Sequence, residues 1–280
     1  MKSIFLSALR WDIDPEIFIL FGTFPIKYYG ILFVTGLLLS YEVVKRVYKS
    51  ENIPVEDLEK LSTYLFIGIF VGARVGHCLF YDFAYFSKHP LEILLPFQVI
   101  DGNWHFTGYA GLASHGGAIG ILIAIILYIK KTKTSFLWIM DKISIGIPIG
   151  CAFIRFGNFM NSEIYGKPTD GDYGVIFMRD DMIPRHPTQL YEAFSFLAVF
   201  VILWYLNKKK SSSVQNGFIF GLFLILMFSA RLIIEFLKEN QVAFEDSMAL
   251  NMGQLLSIPF ILAGAALLLI NRKNFKFRTI

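Results

Sequence analysis

Gly217–Leu237 reads GFIFGLFLILMFSARLIIEFL, twenty-one residues whose only charges are Arg231 and Glu235. A helix needs about 20 mostly apolar residues to cross a bilayer, so this stretch is a membrane span with two charges toward one end. Six other stretches share its character: Ile26–Val47, Leu61–Phe83, Tyr109–Ile129, Phe136–Phe159, Thr188–Leu206 and Gly253–Ile270. The chain therefore reads as all-α, a polytopic integral membrane protein with seven transmembrane helices, residues 1–280 forming a single transmembrane domain. Ile17–Phe24 and Leu91–Ile100 are apolar but too short to cross, and are expected along the interface. No internal repeat or low-complexity segment interrupts this plan.

Composition points the same way. Only 17% of the 280 residues are charged, against about 25% in an ordinary soluble domain. With 55% hydrophobic residues and a mean hydropathy of +0.55, there is too little polar surface to cover a globule in water. That excludes a disordered chain, a collagen-like fibre and a disulfide-stapled secreted module. The two cysteines, Cys78 and Cys151, lie inside apolar runs; they form no disulfide or zinc pattern and read as small core residues. Met1–Pro15 lacks the uninterrupted apolar core of a signal peptide and reads as mature protein.

The 26 Lys and Arg residues are distributed unevenly. Fourteen fall on one side: Lys45, Arg46, Lys49, Lys60, Lys130, Lys131, Lys133, Lys208, Lys209, Lys210, Arg272, Lys273, Lys276 and Arg278. Eight fall on the other: Lys2, Arg10, Lys27, Lys88, Lys167, Arg179, Arg185 and Lys238. The positive-inside rule puts the larger group in the cytoplasm, the N-terminus outside and the C-terminus cytoplasmic.

Four cations remain inside the apolar stretches. Lys142 adjoins Asp141 near a helix end and can snorkel, whereas Arg74, Arg155 and Arg231 lie deeper. Each arginine costs about 2.5–3.5 kcal/mol at the bilayer centre on insertion scales. Either they pair with intramembrane acids such as Glu192 and Glu235 to hold helices together, or they bind something. Their neighbours favour binding. His77 follows Arg74 by one turn, and Ser114, His115, Gly116 and Gly117 open the third span. Arg155, Asn158 and Asn161 recur every three residues down one stripe of the fourth, with Glu163 and Gly166 following. Glycines around His115, with Gly157 and Gly166, permit close approach of helices or of a ligand. The pattern describes a polar, cationic cavity open to the outer leaflet. Arginine's planar fork matches phosphate, so an anionic phospholipid headgroup is the expected guest.

Other classes fit less well. There is no G-x-S-x-G elbow and no H-E-x-x-H helix. Ser114 and His115 are adjacent and point apart on a helix, which disfavours an intramembrane protease. A transporter or channel for an anionic metabolite fits the composition, but transporters commonly carry repeats and midplane sites, whereas these polar groups are offset to one leaflet.

Ile154-Arg155-Phe156-Gly157-Asn158-Phe159-Met160-Asn161-Ser162-Glu163-Ile164-Tyr165-Gly166 resembles the signature of the prolipoprotein diacylglyceryl transferases. Lys27–Gly30, Gly72–Gly76, Ser114–Gly120, Arg185–Glu192, Arg231–Phe236 and Met252–Pro259 extend the resemblance in the family's order along nearly the whole chain. Ile154 and Ser162 depart from it, at places where the family usually or frequently has glycine. The resemblance implies a bacterial inner-membrane enzyme, its active site facing the outer leaflet. It would move the diacylglyceryl group of phosphatidylglycerol to the lipobox cysteine thiol of a prolipoprotein. No metal or organic cofactor is expected.

On that footing His115 is the candidate general base or else an interhelical hydrogen-bonding group. Arg155 and Arg231 are expected to bind the phosphate, unless Arg231 pairs with Glu235 to gate entry. Asn158, Asn161 and Glu163 orient the glycerol headgroup or support Arg155, and Tyr29 donates a hydrogen bond from the first helix. Arg74, Gly166 and Glu235 complete the substrate-binding set, with Arg74 the arginine most open to a structural use. Arg185 and His186 either meet the incoming precursor or belong to a solvated loop. His77, His89 and His105 read as interface or loop residues.

Overall fold

The computed structural model describes residues 8–22, 24–95, 97–100, 103–106, 111, 113–169, 171, 173–209, 215–240, 245 and 247–271. Lys2, Lys210, Arg272, Lys273, Lys276 and Arg278 of the charge count lie outside the described residues. So do the first seven residues of the N-terminal segment and Tyr109, Ala110 and Leu112 of the third expected span.

Helices dominate. Among the described residues, six are long and apolar enough to cross a membrane: Val55–Phe80, His115–Thr132, Phe136–Met160, Thr188–Lys209, Phe218–Glu235 and Met252–Ile270. The first expected span forms a helix too, α1 (Tyr28–Ser50). Its 23 residues reach about 35 Å at 1.5 Å per residue, but its last turns carry Glu42, Lys45, Arg46 and Lys49 and dilute its apolarity. The second span starts earlier than expected, as α2 (Val55–Phe80), because Glu56 and Asp57 suit a helix N-terminus behind Pro54.

The all-α expectation needs amending, since short strands occupy the segments between helices. Ile17–Phe24 is a hairpin, β2 (Glu16–Leu20) against β3 (Phe24–Lys27). Leu91–Ile100 splits into a helical turn, α4 (Leu91–Leu94), and the strand β4 (Phe97–Ile100), which pairs with β5 (Asn103–Phe106). Runs too short to bury a helical face satisfy their backbone groups by pairing with each other.

Two compact units make up the chain, residues 48–139 and the remainder. In the larger unit, α6 (Phe136–Met160), α7 (Thr188–Lys209) and α8 (Phe218–Glu235) share one core. Ala193, Phe196, Val199 and Leu203, at three- and four-residue spacing on α7, meet Ile145 and Ala152 of α6 and Ile219, Phe223 and Met227 of α8. Small residues set the helix separations. A Cβ on Gly146 would stand 2.8 Å from the Ser40 carbonyl oxygen of α1, and Ser40 Oγ donates to the Gly146 carbonyl at 2.9 Å. Gly221 and Gly264 bring α8 against α9 (Met252–Asn271) in the same way.

The buried Asp141 of α6 accepts from the Gly217 and Phe220 amides at 2.9 and 2.8 Å. It thereby caps the N-terminus of α8, whose other end carries Arg231 and Glu235. Beyond α6, β1 (Leu9–Trp11), β6 (Val175–Phe177) and β7 (Pro184–Arg185) form a three-stranded sheet, β1 parallel to β6. Its small core joins Phe159, Val175 and Phe177 to Trp11, Tyr165 and Leu190.

In the smaller unit, α2 packs against α5 (Ser114–Thr132) almost backbone to backbone. A Cβ on Gly76 would lie 2.6 Å from the Gly116 Cα, and one on Gly72 2.8 Å from the Gly120 Cα. Gly116 and Gly120 are thus spent on helix contact.

Candidate active site

The fourth span ends in a tight reversal that builds the site. Ser162 has φ 55°, its amide bonds back to the Phe159 carbonyl at 3.1 Å, and the Glu163 amide bonds to the Asn158 carbonyl at 3.0 Å. This is a Schellman cap with a serine at the left-handed position glycine prefers. The reversal folds Glu163 back over the helix, where its Oε1 accepts from Asn158 Nδ2 at 2.8 Å and Asn161 Nδ2 at 3.2 Å. Asn158 Oδ1 in turn accepts from Arg155 Nη1 at 3.1 Å. The two asparagines and the acid therefore support Arg155 in a continuous chain.

Arg155 also meets Glu192 of α7, Nε to Oε2 at 2.8 Å; the contact is charge against charge, because the N–H is not aligned on the oxygen. The other oxygen of Glu192 accepts from Lys238 Nζ at 3.0 Å, and Lys238 reaches Glu235 Oε2 at 3.4 Å. Glu192 is wholly buried, with Lys238 and Glu235 nearly so. Two cations and two carboxylates thus balance in low dielectric, where each needs its partner. Gly253 admits this arrangement, since a Cβ there would lie 2.5 Å from the Glu235 carboxyl carbon.

Arg231 stands apart. The alternative pairing with Glu235 one turn away is not made; Glu235 meets Lys238 instead. Among the described residues Arg231 makes no ion pair, and its buried Nε has no hydrogen-bond partner. It is nonetheless close to the cluster: Arg155, Glu192 and Arg231 all act electrostatically on Cys151, one turn before Arg155. A half-buried guanidinium with open donors beside a neutralised cluster is equipped to receive an anion.

Tyr29 and Asn161 line a cavity of about 660 Å³ with Lys27, Gly30, Val34 and Thr35. Asn161 Oδ1 is buried and unsatisfied by protein. Gly157 lets Tyr29 approach α6, as a Cβ there would lie 2.7 Å from the Tyr29 ring. Gly166 serves the protein's own packing: a Cβ would strike the Leu237 carbonyl oxygen at 2.5 Å and the side chains of His186 and Thr188 at 2.7 Å. Its amide bonds to the His186 carbonyl, and that of Lys167 to the Leu237 carbonyl, both at 2.8 Å.

The segment after Gly166 is ordered by charge. Arg185 is buried and bonds Asp181, which holds that carboxyl below its ordinary range and raises the guanidinium's own pKa. Arg185 therefore belongs neither to a solvated loop nor to an exposed docking face. Burial, then the hydrogen bond to Asp180, pushes the Tyr165 hydroxyl up to about 12.

Arg74 and His115 belong to the smaller unit. The buried Arg74 donates from Nη2 to the Glu92 carbonyl at 2.6 Å and from Nε to the Ile93 carbonyl at 3.1 Å, and lies over the Phe86 ring. These contacts tie down the segment after α2. His115 sits exposed in the first turn of α5, with no hydrogen bond or ion pair among the described residues. His77 and His89 stack on Tyr81 and Tyr85, and His105 lies exposed in β5.

Sequence reasoning missed Lys238 and Gln189. Lys238 counted as a loop cation, although its place three residues after Glu235 put both on one face. Gln189 Nε2 donates to the Glu163 carbonyl at 2.8 Å and secures the reversal from α7.

Fold and cluster together define a multi-pass helical membrane protein with a buried ionic site at one end of α6, α7 and α8. A family model described as prolipoprotein diacylglyceryl transferase matches residues 15–270, and the chain belongs to that family. Relatives named phosphatidylglycerol–prolipoprotein diacylglyceryl transferase include one from Bacteroides fragilis, 48% identical over 94% of this chain and 95% of its own. One from Tolumonas auensis is 48% identical over 95% of this chain and 98% of its own. One from Porphyromonas gingivalis is 42% identical over 96% of each. Family membership supports the transferase and not the transporter.

Proposed function

We propose that this protein transfers the diacylglyceryl group of phosphatidylglycerol to the lipobox cysteine of a prolipoprotein, the first step of bacterial lipoprotein maturation. The observation that carries the site assignment is Arg231, a guanidinium without an ion-pair partner among the described residues, near an Arg155 already held by Glu192 and Asn158. Arg155 is the fixed cation and Arg231 the one that closes on the phosphate.

The substrate brings the nucleophile. A free thiol near pKa 8.5 is mostly protonated at neutral pH, and His115 takes its proton. The thiolate sulfur attacks the glyceryl carbon that bears the phosphate ester. An S–C bond forms, the C–O bond breaks, and glycerol phosphate leaves with the electron pair. Arg155 and Arg231 stabilise the charge gathering on the departing phosphate. Tyr29 and Asn161 face the headgroup across their shared cavity, with Asn158 and Glu163 behind them. Gly166 and Arg74 act through the segments they hold in place.

The reading includes α1 as a seventh crossing, with the N-terminus outside and the C-terminus cytoplasmic. Lys45, Arg46 and Lys49 then share a side with Lys60, Lys130, Lys131, Lys133, Lys208 and Lys209. Tyr29, Arg155, Glu192 and Arg231 lie toward the opposite helix ends, which this topology turns to the outer leaflet of the inner membrane.

Purified protein in vesicles containing phosphatidylglycerol is to be given a lipobox peptide and the peptide weighed by mass spectrometry. A diacylglyceryl mass gain is expected there and not in vesicles of phosphatidylethanolamine alone; an unchanged peptide in both refutes the activity. His115→Asn tests the base: full turnover at neutral pH removes that role.

A further inference from the structure

Arg185 gathers three segments that are distant in sequence. Its Nε bonds Asp181 Oδ2 at 2.9 Å, its Nη1 bonds Glu239 Oε1 at 2.6 Å and approaches the Gly166 carbonyl at 3.5 Å, and its guanidinium lies 4.8 Å over the Tyr165 ring. Glu239 directly follows Lys238, the cation on Glu192, and Gly166 pairs with Lys238 across a backbone bridge. Lys167 Nζ adds a bond to the Phe236 carbonyl at 3.1 Å. The turn that ends α8 is thus pinned to the segment that follows α6, and Arg185 adds the side-chain pin that joins Glu239 to the Gly166 carbonyl.

We propose that Arg185 is a positioning residue for the transfer, locking the turn after α8 against Gly166 so that Lys238 stays on Glu192 and Glu192 on Arg155. This rests on the role given above to Arg155. The guanidinium touches no reacting atom. It acts through Glu239 and Gly166, and a small displacement of a catalytic cation is enough to cost rate.

The test compares Arg185→Gln, Arg185→Lys and Glu239→Gln in phosphatidylglycerol vesicles, with kcat expressed per folded molecule. Hydrogen–deuterium exchange is read over residues 164–169 and 236–240. Arg185→Gln is expected to lower kcat about tenfold with little change in KM, Glu239→Gln to lower it less, and Arg185→Lys to recover part of the loss. Exchange should quicken in both segments. Unchanged kcat per folded molecule, or unchanged exchange, overturns the proposal. Should Arg185→Gln fail to fold, Glu239→Gln, whose side chain is 41% exposed, decides by the same two readouts. Absence of turnover in the unsubstituted protein would count against the transferase function instead, while the exchange data still report on the clamp.

Discussion

Arg155 Nε sits 2.8 Å from Glu192 Oε2, and the carboxylate holding it is wholly buried while its other oxygen serves Lys238. One acid therefore fixes two cations, one on α6 and one in the turn after α8. A buried carboxylate so placed is costly to remove, because its partners are left charged and uncompensated.

Glu192→Gln should accordingly destabilise the protein by about 3–5 kcal/mol, the range for breaking a buried pair from one side. Thermal unfolding in detergent will read it as a lowered midpoint, with turnover lost. An unchanged midpoint would mean that the pair carries no structural weight.

Arg231→Gln should show the opposite split. With no ion pair or hydrogen bond to lose among the described residues, stability should stay within about 0.5 kcal/mol. Loss of a cation acting on the leaving phosphate should cost about 10²–10³ in kcat. Parallel measurements of unfolding midpoint and turnover on the Glu192 and Arg231 variants will separate the two roles.

Ser162→Gly should stabilise. A non-glycine residue at φ 55° carries a strain of about 1–2 kcal/mol, part of which returns as unfolded-chain entropy. The net gain expected is about 0.5–1 kcal/mol, seen as a raised unfolding midpoint with activity retained.

Tyr165 should be a late-titrating phenol. Its folded value of about 12 exceeds the ordinary 10.0. The folded state thus favours the protonated hydroxyl; that stabilisation is complete below pH 10 and lost as pH rises toward 12. The chain has 13 tyrosines, so the assignment needs the difference in phenolate absorbance between the unsubstituted protein and Tyr165→Phe. A difference centred at pH 10 would contradict it.

The membrane character, the helices and their order were legible in the sequence, because a span is a local property: about 20 apolar residues suffice whatever surrounds them. The signature stripe Arg155, Asn158 and Asn161 was legible for the same reason, since helical spacing fixes which residues share a face. Pairing was not. Arg231 and Glu235 are one turn apart on α8, yet Glu235 takes Lys238, and Arg231 takes no acid among the described residues. Arg155 takes an acid 37 positions away on α7. Arg185, which sequence alone left to a loop, is among the most firmly held cations outside the spans. A charge in low dielectric goes to whichever opposite charge the packed backbone brings within reach, and that is set by helix separation, by the glycines that permit it and by the left-handed turn at Ser162. Sequence determined which residues the membrane would have to accommodate; only the tertiary structure decided which cations met an acid and, among the described residues, which did not.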